Sequence, residues 1–582
     1  MQSYVPPVED YQFLLGEVLG FDAAMAELGR DDVNADLAVA VLEEAGRLCA
    51  DRLQPLNRSG DETGSHLIDG RVETPAGFAE AYRAFADAGW TSLSGDPDYG
   101  GQGLPFILQL WLDEMVSSAN LSFGLFAGLT RGATEAIAAH ATEDLKSAYL
   151  PRLISGEWTG AMALTESGAG TDLGLLKAKA TPCGDGSYAV SGTKIFISSG
   201  DHDFGGNIVH LVLARLPDAP AGVRGISLFL VPKFLADATG DFSVRNAMSV
   251  GSLEEKMGIH AQPTCVIHYD DATGWLVGEP NRGLAAMFTM MNSERLFVGI
   301  QGLGIASAAY QQATGYARER LQGRSADAAR PLVPILEHAD VRRMLLKVRA
   351  FVEAGRALAG WTALHLDRAH SHPDARERDI SNGLVALLTP VVKAAFTDFG
   401  FESAVHAQQV FGGHGYIREW GMEQYVRDAR IAQIYEGTNG VQSMDLVTRK
   451  LNLEGGAVVD AFFALVRSDL DAIKAEGVPS MVAHRTRAAL ALLEAATAPL
   501  KGASLDRAGA AAVDYLRLFA LVAMGWMWAR MAAAATGEGA LHRSKLIIAH
   551  FFAERMLSDT AGLAAAIDAG PESTMALSAD AF

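Results

Sequence analysis

Between Trp158 and Gly283 the chain changes its hydrophobic period. On both sides apolar residues return every three or four positions over long stretches. Inside this segment they crowd into short runs separated by Pro, Gly and Asp. A chain with that texture must build a small sheet or barrel set between helical segments, because helix-period and strand-period faces pack into different layers. Residues 187–190 and 194–197 predict two strands joined by a tight turn at Ser191-Gly192. Residues 209–214, 226–231 and 265–269 predict three more. Upstream, 37–48 and 75–88 predict helices, with a glycine-rich break at 95–103. Downstream, 287–319, 336–366, 379–411 and 442–451 read as a helical bundle, and an alanine-rich helical segment follows Gly455-Gly456. The expected organisation is a helical domain over 1–158, a middle β domain over 159–282, a bundle over 283–455 and an extra helical domain over 456–582.

Composition excludes several functions. Lys plus Arg minus Asp plus Glu is 48 − 69 = −21, which argues against nucleic acid or an anionic membrane as partner, since either needs a cationic face. Cys49, Cys183 and Cys265 form no CxxC pair, so neither a disulfide framework nor a zinc site is expected, and a reducing cytoplasm is the simplest location. Residues 1–10 carry no signal-peptide pattern. The longest strongly apolar run, 518–529, is too short to span a bilayer, so no stable membrane insertion is expected. The run Gly302-Leu303-Gly304 lies in helical text with no strand before it and is no dinucleotide fingerprint.

Three clusters point to chemistry. In Met162-Ala163-Leu164-Thr165-Glu166-Ser167-Gly168-Ala169-Gly170-Thr171-Asp172 small residues let backbone approach a flat or anionic ligand. Gln408-Gln409-Val410-Phe411-Gly412-Gly413-His414-Gly415-Tyr416 ends a long helix on glycines, which cap it and expose backbone. In Arg430-Ile431-Ala432-Gln433-Ile434-Tyr435-Glu436-Gly437-Thr438-Asn439-Gly440, Thr438 is placed to cap the next helix. There Glu436, among apolar neighbours, has the setting of a general base.

In this order and spacing the clusters resemble the acyl-CoA dehydrogenase family over residues 35–455, together with Asp98-Tyr99-Gly100-Gly101-Gln102-Gly103-Leu104 and Lys256-Met257-Gly258-Ile259-His260. The resemblance implies a mainly α fold with a central β-barrel-like domain, a helical bundle and added C-terminal helices. It implies FAD as cofactor, an acyl-CoA substrate, an electron-transferring flavoprotein as acceptor, and a homodimer or dimer of dimers. It makes Glu436 the base that removes the α-proton of the thioester. Met162, Leu164, Thr165, Phe196 and Ser198 match residues around the isoalloxazine, Gly170 a cofactor contact, and Thr171 one shared by FAD and acyl-CoA. Arg320 matches an arginine that reaches the FAD pyrophosphate across a subunit interface. The aromatic-glycine pair usual after it is missing, and Arg324 is a second candidate for that contact. His338, Gln409 and Gly413 match further cofactor positions, the last two at the adenine. Thr438 and Asn439 match the pyrophosphate, and Asn292, Arg295 and Gly437 the acyl-CoA. The nearest branch has an added C-terminal domain and acts on 3-methylmercaptopropionyl-CoA. Straight-chain acyl-CoA is the alternative substrate, and an acyl-CoA oxidase the more remote alternative enzyme.

Overall fold

A computed structural model describes residues 3–324 and 332–582. The chain divides into two compact units, one of residues 48–104 and 119–297, the other of 1–47, 105–118 and 298–582.

The first unit holds the sheet. A short hairpin, β1 (His66–Ile68) and β2 (Arg71–Glu73), precedes β3 (Thr159–Ala163), β4 (Lys179–Pro182), β5 (Tyr188–Ser198), β6 (Ile208–Arg215) and β7 (Ile226–Pro232). β8 (Phe234–Ala236), β9 (Phe242–Arg245), β10 (Met248–Leu253) and β11 (Thr264–Val277) follow. The strand order is β10-β11-β5-β4-β6-β3, and β7 pairs with both β6 and β11. The path β11-β5-β4-β6-β7 therefore closes on itself as a small barrel, with β10 and β3 appended.

Every residue of β7 and all but the last of β6 are buried, which explains why both read as continuous apolar runs rather than alternating ones. Leu211, Leu213, Leu228 and Leu230 enter one core with Ile137, Tyr149 and Trp158. Val212, Phe229 and Val231 enter another with Val190, Ile197, Ile267 and Tyr269. Each strand thus serves two cores.

The segment expected to be two strands and a turn is one strand. β5 pairs with β11 from Ser198↔Thr264 to Tyr188↔Gly274, and Gly192 bends it without reversing it. At φ 147 a Cβ on Gly192 would lie 2.9 Å from the Ala178 Cβ, so glycine is there for close approach. The remaining short strands, β3 among them, have too few β-branched or aromatic residues to stand out in sequence.

The second unit is helical. Its bundle comprises the later part of α1 (Gly283–Glu319), α2 (Ala339–Ser371), α3 (Ala375–Phe411), α4 (Met422–Ala432) and α5 (Asn439–Thr448). Further helices follow, among them α6 (Ala457–Ala472), α7 (Val478–Thr497), α8 (Leu505–Ala534), α9 (Ala540–Arg555) and α10 (Asp559–Asp568). Gly302 and Gly400 bring α1 and α3 together backbone to backbone. A Cβ on Gly302 would meet the Phe396 carbonyl oxygen at 2.4 Å, and one on Gly400 the Gly302 oxygen at 2.5 Å. The glycines of 302–304 therefore serve helix packing. α3 and α8 are long and apolar enough to cross a membrane, but 78% and 72% of their apolar windows are buried within the protein.

A buried charge cluster ties the N-terminal segment, the bundle and the C-terminal helices within this unit. Arg356 donates from Nε to both Glu114 oxygens at 3.0 Å and pairs with Asp10. Lys545, with no exposed surface, donates to Glu353 at 2.6 Å and to Asp10. Burial pushes the Asp10 carboxyl up, but Lys545 and Arg356 outweigh it and hold the group below its ordinary value. Lys545→Met therefore should cost about 3–5 kcal/mol by leaving buried carboxylates short of a cation. Urea unfolding at neutral pH measures that loss. Because Asp10 titrates lower in the folded state, its contribution is present above its unfolded value of 3.8 and fades as the pH falls below it. The wild-type advantage over the mutant should shrink in acid.

Candidate active site

In the β unit, β3 and β5 carry Met162, Phe196 and Ser198, and the 164–171 loop carries Leu164, Thr165, Gly170 and Thr171. The Ile195 N–H donates to the Thr165 carbonyl at 2.9 Å, which lays the loop along β5. Leu164 is buried, while Met162, Thr165 and Ser198 are half-buried. Phe196 stands 58% exposed at φ 61, so the backbone twists an apolar ring outward instead of into the core. Nothing lies within 4 Å of where a Cβ on Gly168 or Gly170 would sit. Thr171 is exposed.

A fully buried lysine supports this wall. Lys194 Nζ donates to the Leu164 carbonyl at 2.8 Å and to Glu166 Oε1 at 2.9 Å. Glu166 also accepts the Lys177 N–H at 2.7 Å and the Ala178 N–H at 3.0 Å. Burial pushes Glu166 up, but Lys194 and these donors hold it below its ordinary value. Burial pulls the Lys194 ammonium down against the attraction of Glu166. Behind β5, His210 Nε2 bonds the Gly200 carbonyl at 2.8 Å and Nδ1 the Tyr269 hydroxyl at 2.6 Å. The carbonyl needs a donor, so Nε2 carries the proton and Tyr269 donates to Nδ1. Burial pulls this histidine down to about 4, keeping it neutral at physiological pH. Sequence reasoning assigned no role to Lys194, Glu166 or His210. A lysine between Thr193 and Ile195 in strand text is a signal that could have found the first. Asn292 accepts from Arg295 Nη1 at 3.4 Å on α1, and Arg295 lies over the Phe288 ring.

In the helical unit, Glu436 occupies the turn between α4 and α5, half-buried and at φ 56. Gly437 follows at φ 83, and a Cβ there would come within 2.5 Å of Gln442 Nε2. Thr438 caps α5, accepting the Val441 N–H at 3.3 Å. The Asn439 side chain turns inward to Lys393, Thr397 and Asp398. Any hold by Asn439 on a phosphate would therefore come from its backbone. A cleft of about 340 Å³ within the same unit is lined by Tyr316, Arg320, Gln322, Phe411, Gly413 and His414, among others. Gln409 is exposed at the end of α3, and Gly412, at φ 58, caps that helix. Arg320 thus shares one cleft with Gly413. Arg324 is exposed and is not among the lining residues. His338 bonds the Gln322 carbonyl at 2.7 Å and packs on Gly323, so it braces the Arg320 turn from behind.

Each unit therefore contributes its own features: the β unit an open loop of small residues and one outward aromatic ring, the helical unit an arginine cleft edged by glycine backbone and a carboxylate on a strained turn. Family models agree along nearly the whole chain. The acyl-CoA dehydrogenase N-terminal domain matches 36–157, its middle domain 161–272 and its C-terminal domain 281–451, and an acetyl-CoA dehydrogenase C-terminal-like domain matches 460–578. The chain belongs to the acyl-CoA dehydrogenase family.

It is 43% identical over 566 residues, 95% of this chain and 96% of the relative, to 3-methylmercaptopropionyl-CoA dehydrogenase of Ruegeria pomeroyi. It is 32% identical over 596 residues, 96% of each chain, to the broad-specificity linear acyl-CoA dehydrogenase FadE5 of Mycobacterium tuberculosis. Among solved structures, Caenorhabditis elegans ACDH-11 in complex with C11-CoA shares the fold at a TM-score of 0.78 and 19% identity, over 96% of this chain and 93% of that one. The protein is an FAD-dependent oxidoreductase that dehydrogenates acyl-CoA thioesters.

The residues present fit FAD. The outward Phe196 ring and the open space at Gly168 and Gly170 suit a flat ring system, and Arg320 beside glycine backbone suits paired phosphates. Lys194→Met should loosen the 164–171 loop by removing charge-assisted bonds worth on the order of 1.5–3 kcal/mol. FAD should then dissociate more readily, by roughly tenfold or more. Fluorescence titration of the apoprotein with FAD measures it, with circular dichroism checking the fold.

Proposed function

We propose that this enzyme oxidises 3-methylmercaptopropionyl-CoA to methylthioacryloyl-CoA, with Glu436 as the base. The observation that carries the substrate is the 43% identity to a dehydrogenase of that name, extending through the C-terminal helices. The base assignment is supported by the strained, half-buried turn that presents Glu436 and by its match to the family pattern.

In this reading the Glu436 carboxylate takes the α-proton, and its backbone N–H, directed at the thioester carbonyl, offsets the enolate charge that develops there. FAD, when bound, takes up the β-hydride. Met162, Leu164, Thr165, Phe196 and Ser198 form the wall against the flavin, and Gly170 gives it room. Thr171 bridges cofactor and substrate, while Asn292, Arg295 and Gly437 face the acyl-CoA. Arg320, on a turn braced by His338, reaches the FAD pyrophosphate across a subunit interface of a homodimer or dimer of dimers, and Gln409 and Gly413 take the adenine end. Thr438 and Asn439 serve the pyrophosphate at the start of α5. An electron-transferring flavoprotein removes the electrons. The three cysteines are free thiols, in keeping with a cytoplasmic location.

A straight-chain acyl-CoA is the second reading, favoured by the 32% identity over 96% of each chain to a broad-specificity linear dehydrogenase. Steady-state kinetics with a dye acceptor across an acyl-CoA series separates them. The methylthio substrate should have the highest kcat/KM. A straight-chain thioester ahead of it would establish the second reading.

Glu436→Gln keeps the shape and removes the base. Flavin content should be unchanged, and anaerobic bleaching by substrate should slow by about 10²–10⁴-fold. In wild type the bleaching rate should fall in acid, because only the ionised carboxylate accepts a proton. Bleaching of the Gln variant at wild-type speed would move the base elsewhere.

A further inference from the structure

Glu436 is neither glycine nor asparagine, yet its φ is 56. Such a conformation costs on the order of 1–3 kcal/mol and persists only where the surroundings impose it. Within the helical unit the turn is tied at successive residues. The Tyr435 hydroxyl donates to Gln301 Oε1, and Gln442 Nε2 donates to the Glu436 carbonyl at 3.4 Å. The strongest hold comes from α3. Lys393, with no exposed surface, donates from Nζ to the Gly437 carbonyl at 2.8 Å and to Asn439 Oδ1 at 2.8 Å. Asn439 Nδ2 passes the restraint on, donating to Asp398 Oδ1 at 2.7 Å, Thr397 Oγ1 at 2.9 Å and the Ala394 carbonyl at 3.1 Å. Gln433 Nε2, at the start of the turn, donates to the same Asp398 oxygen at 2.6 Å.

Stability alone does not account for a lysine here. Val391, Val392, Ala394, Ala395 and Phe396 around it are buried and apolar. Burying an ammonium costs several kcal/mol after relaxation, a cost that a lysine placed only to fill space among these side chains would not offset. What the ammonium supplies and a methionine does not is a directional grip on two acceptors that flank Thr438, immediately after Glu436.

We propose that Lys393 is a positioning residue of the reaction: through Gly437 and Asn439 it locks the left-handed turn that sets the Glu436 carboxylate where the α-proton is removed. This rests on Glu436 as base. A displacement of about 1 Å in a catalytic group costs on the order of 10²-fold in rate, and freeing the turn permits one.

The test uses Lys393→Met, Lys393→Arg and Glu436→Gln holoenzymes beside wild type. Anaerobic stopped-flow bleaching with a good acyl-CoA substrate gives the rate per bound flavin across pH. Titration with the trans-2-enoyl-CoA product, which has no saturated α-carbon for the base to deprotonate, gives the affinity of a non-reacting analogue. Lys393→Met should bleach about 10²-fold more slowly, with analogue affinity within roughly twofold of wild type and the pH midpoint of the rate displaced. Lys393→Arg, which keeps a charged donor, should recover most of the rate. If Lys393→Met does not fold, Asn439→Ala removes the second acceptor and is held to the same expectations. The proposal is overturned if the folded variant bleaches within roughly threefold of wild type per bound flavin, or if its slower rate is matched by an equal loss of analogue affinity with an unmoved pH midpoint. Glu436→Gln separates the two failures: wild-type bleaching in that variant refutes the base itself, whatever the lysine variants do.

Discussion

A buried ammonium has no water to turn to, so it must find carbonyls or carboxylates, and both functional segments of this enzyme are built on that constraint. Lys194 and Lys393 each have no exposed surface. The first grips the Leu164 carbonyl and Glu166 beneath the glycine-rich loop, and the second grips Gly437 and Asn439 beside Glu436. Loops that must leave glycine backbone open to a ligand cannot be held by their own side chains. A rigid strand or helix behind each does the holding, with a cation as the connection. The small residues at 168 and 170 and the positive φ of Glu436 lie on segments held in this way.

The same logic operates on a larger scale in the C-terminal helices. α8 is sheathed by its neighbours, and Trp526 and Trp528 are wholly buried. Lys545 on α9 reaches Asp10 near the start of the chain and Glu353 in the bundle. The added domain is therefore joined to the helical unit by ion pairs far apart in sequence, not appended as a loose module. Removing one member leaves the others buried and unbalanced, which is why such clusters weigh more on stability than surface pairs do.

Much of this was legible in the sequence. Long stretches of period 3.6 marked the bundle, and continuous apolar runs marked β6 and β7. The three glycine-bearing clusters mark the 164–171 loop, the end of α3 and the Glu436 turn. Other features were hidden for physical reasons. Gly192 looked like a turn because a strand glycine that yields to Ala178 has the same local signature as one that reverses the chain. β3 has only Thr159 among the branched residues that advertise strands. The inward roles of the Asn439 and His338 side chains follow from partners distant in sequence, Lys393 and Gln322, and no local pattern reveals such pairs. Lys393 itself left one trace, a lone lysine inside the apolar text of α3, but its position beside the Glu436 turn emerges only in the fold.

The central claim is that Glu436, held in a strained turn, is the group that takes the α-proton. The most direct measurement separates proton removal from hydride transfer: a 3-thia-acyl-CoA incubated with holoenzyme in D₂O can exchange its α-hydrogens but cannot be dehydrogenated. Wild type should place deuterium at the α-carbon, read by mass spectrometry, and Glu436→Gln with full FAD should place none above the uncatalysed background. Exchange by the Gln variant at the wild-type rate would contradict the account.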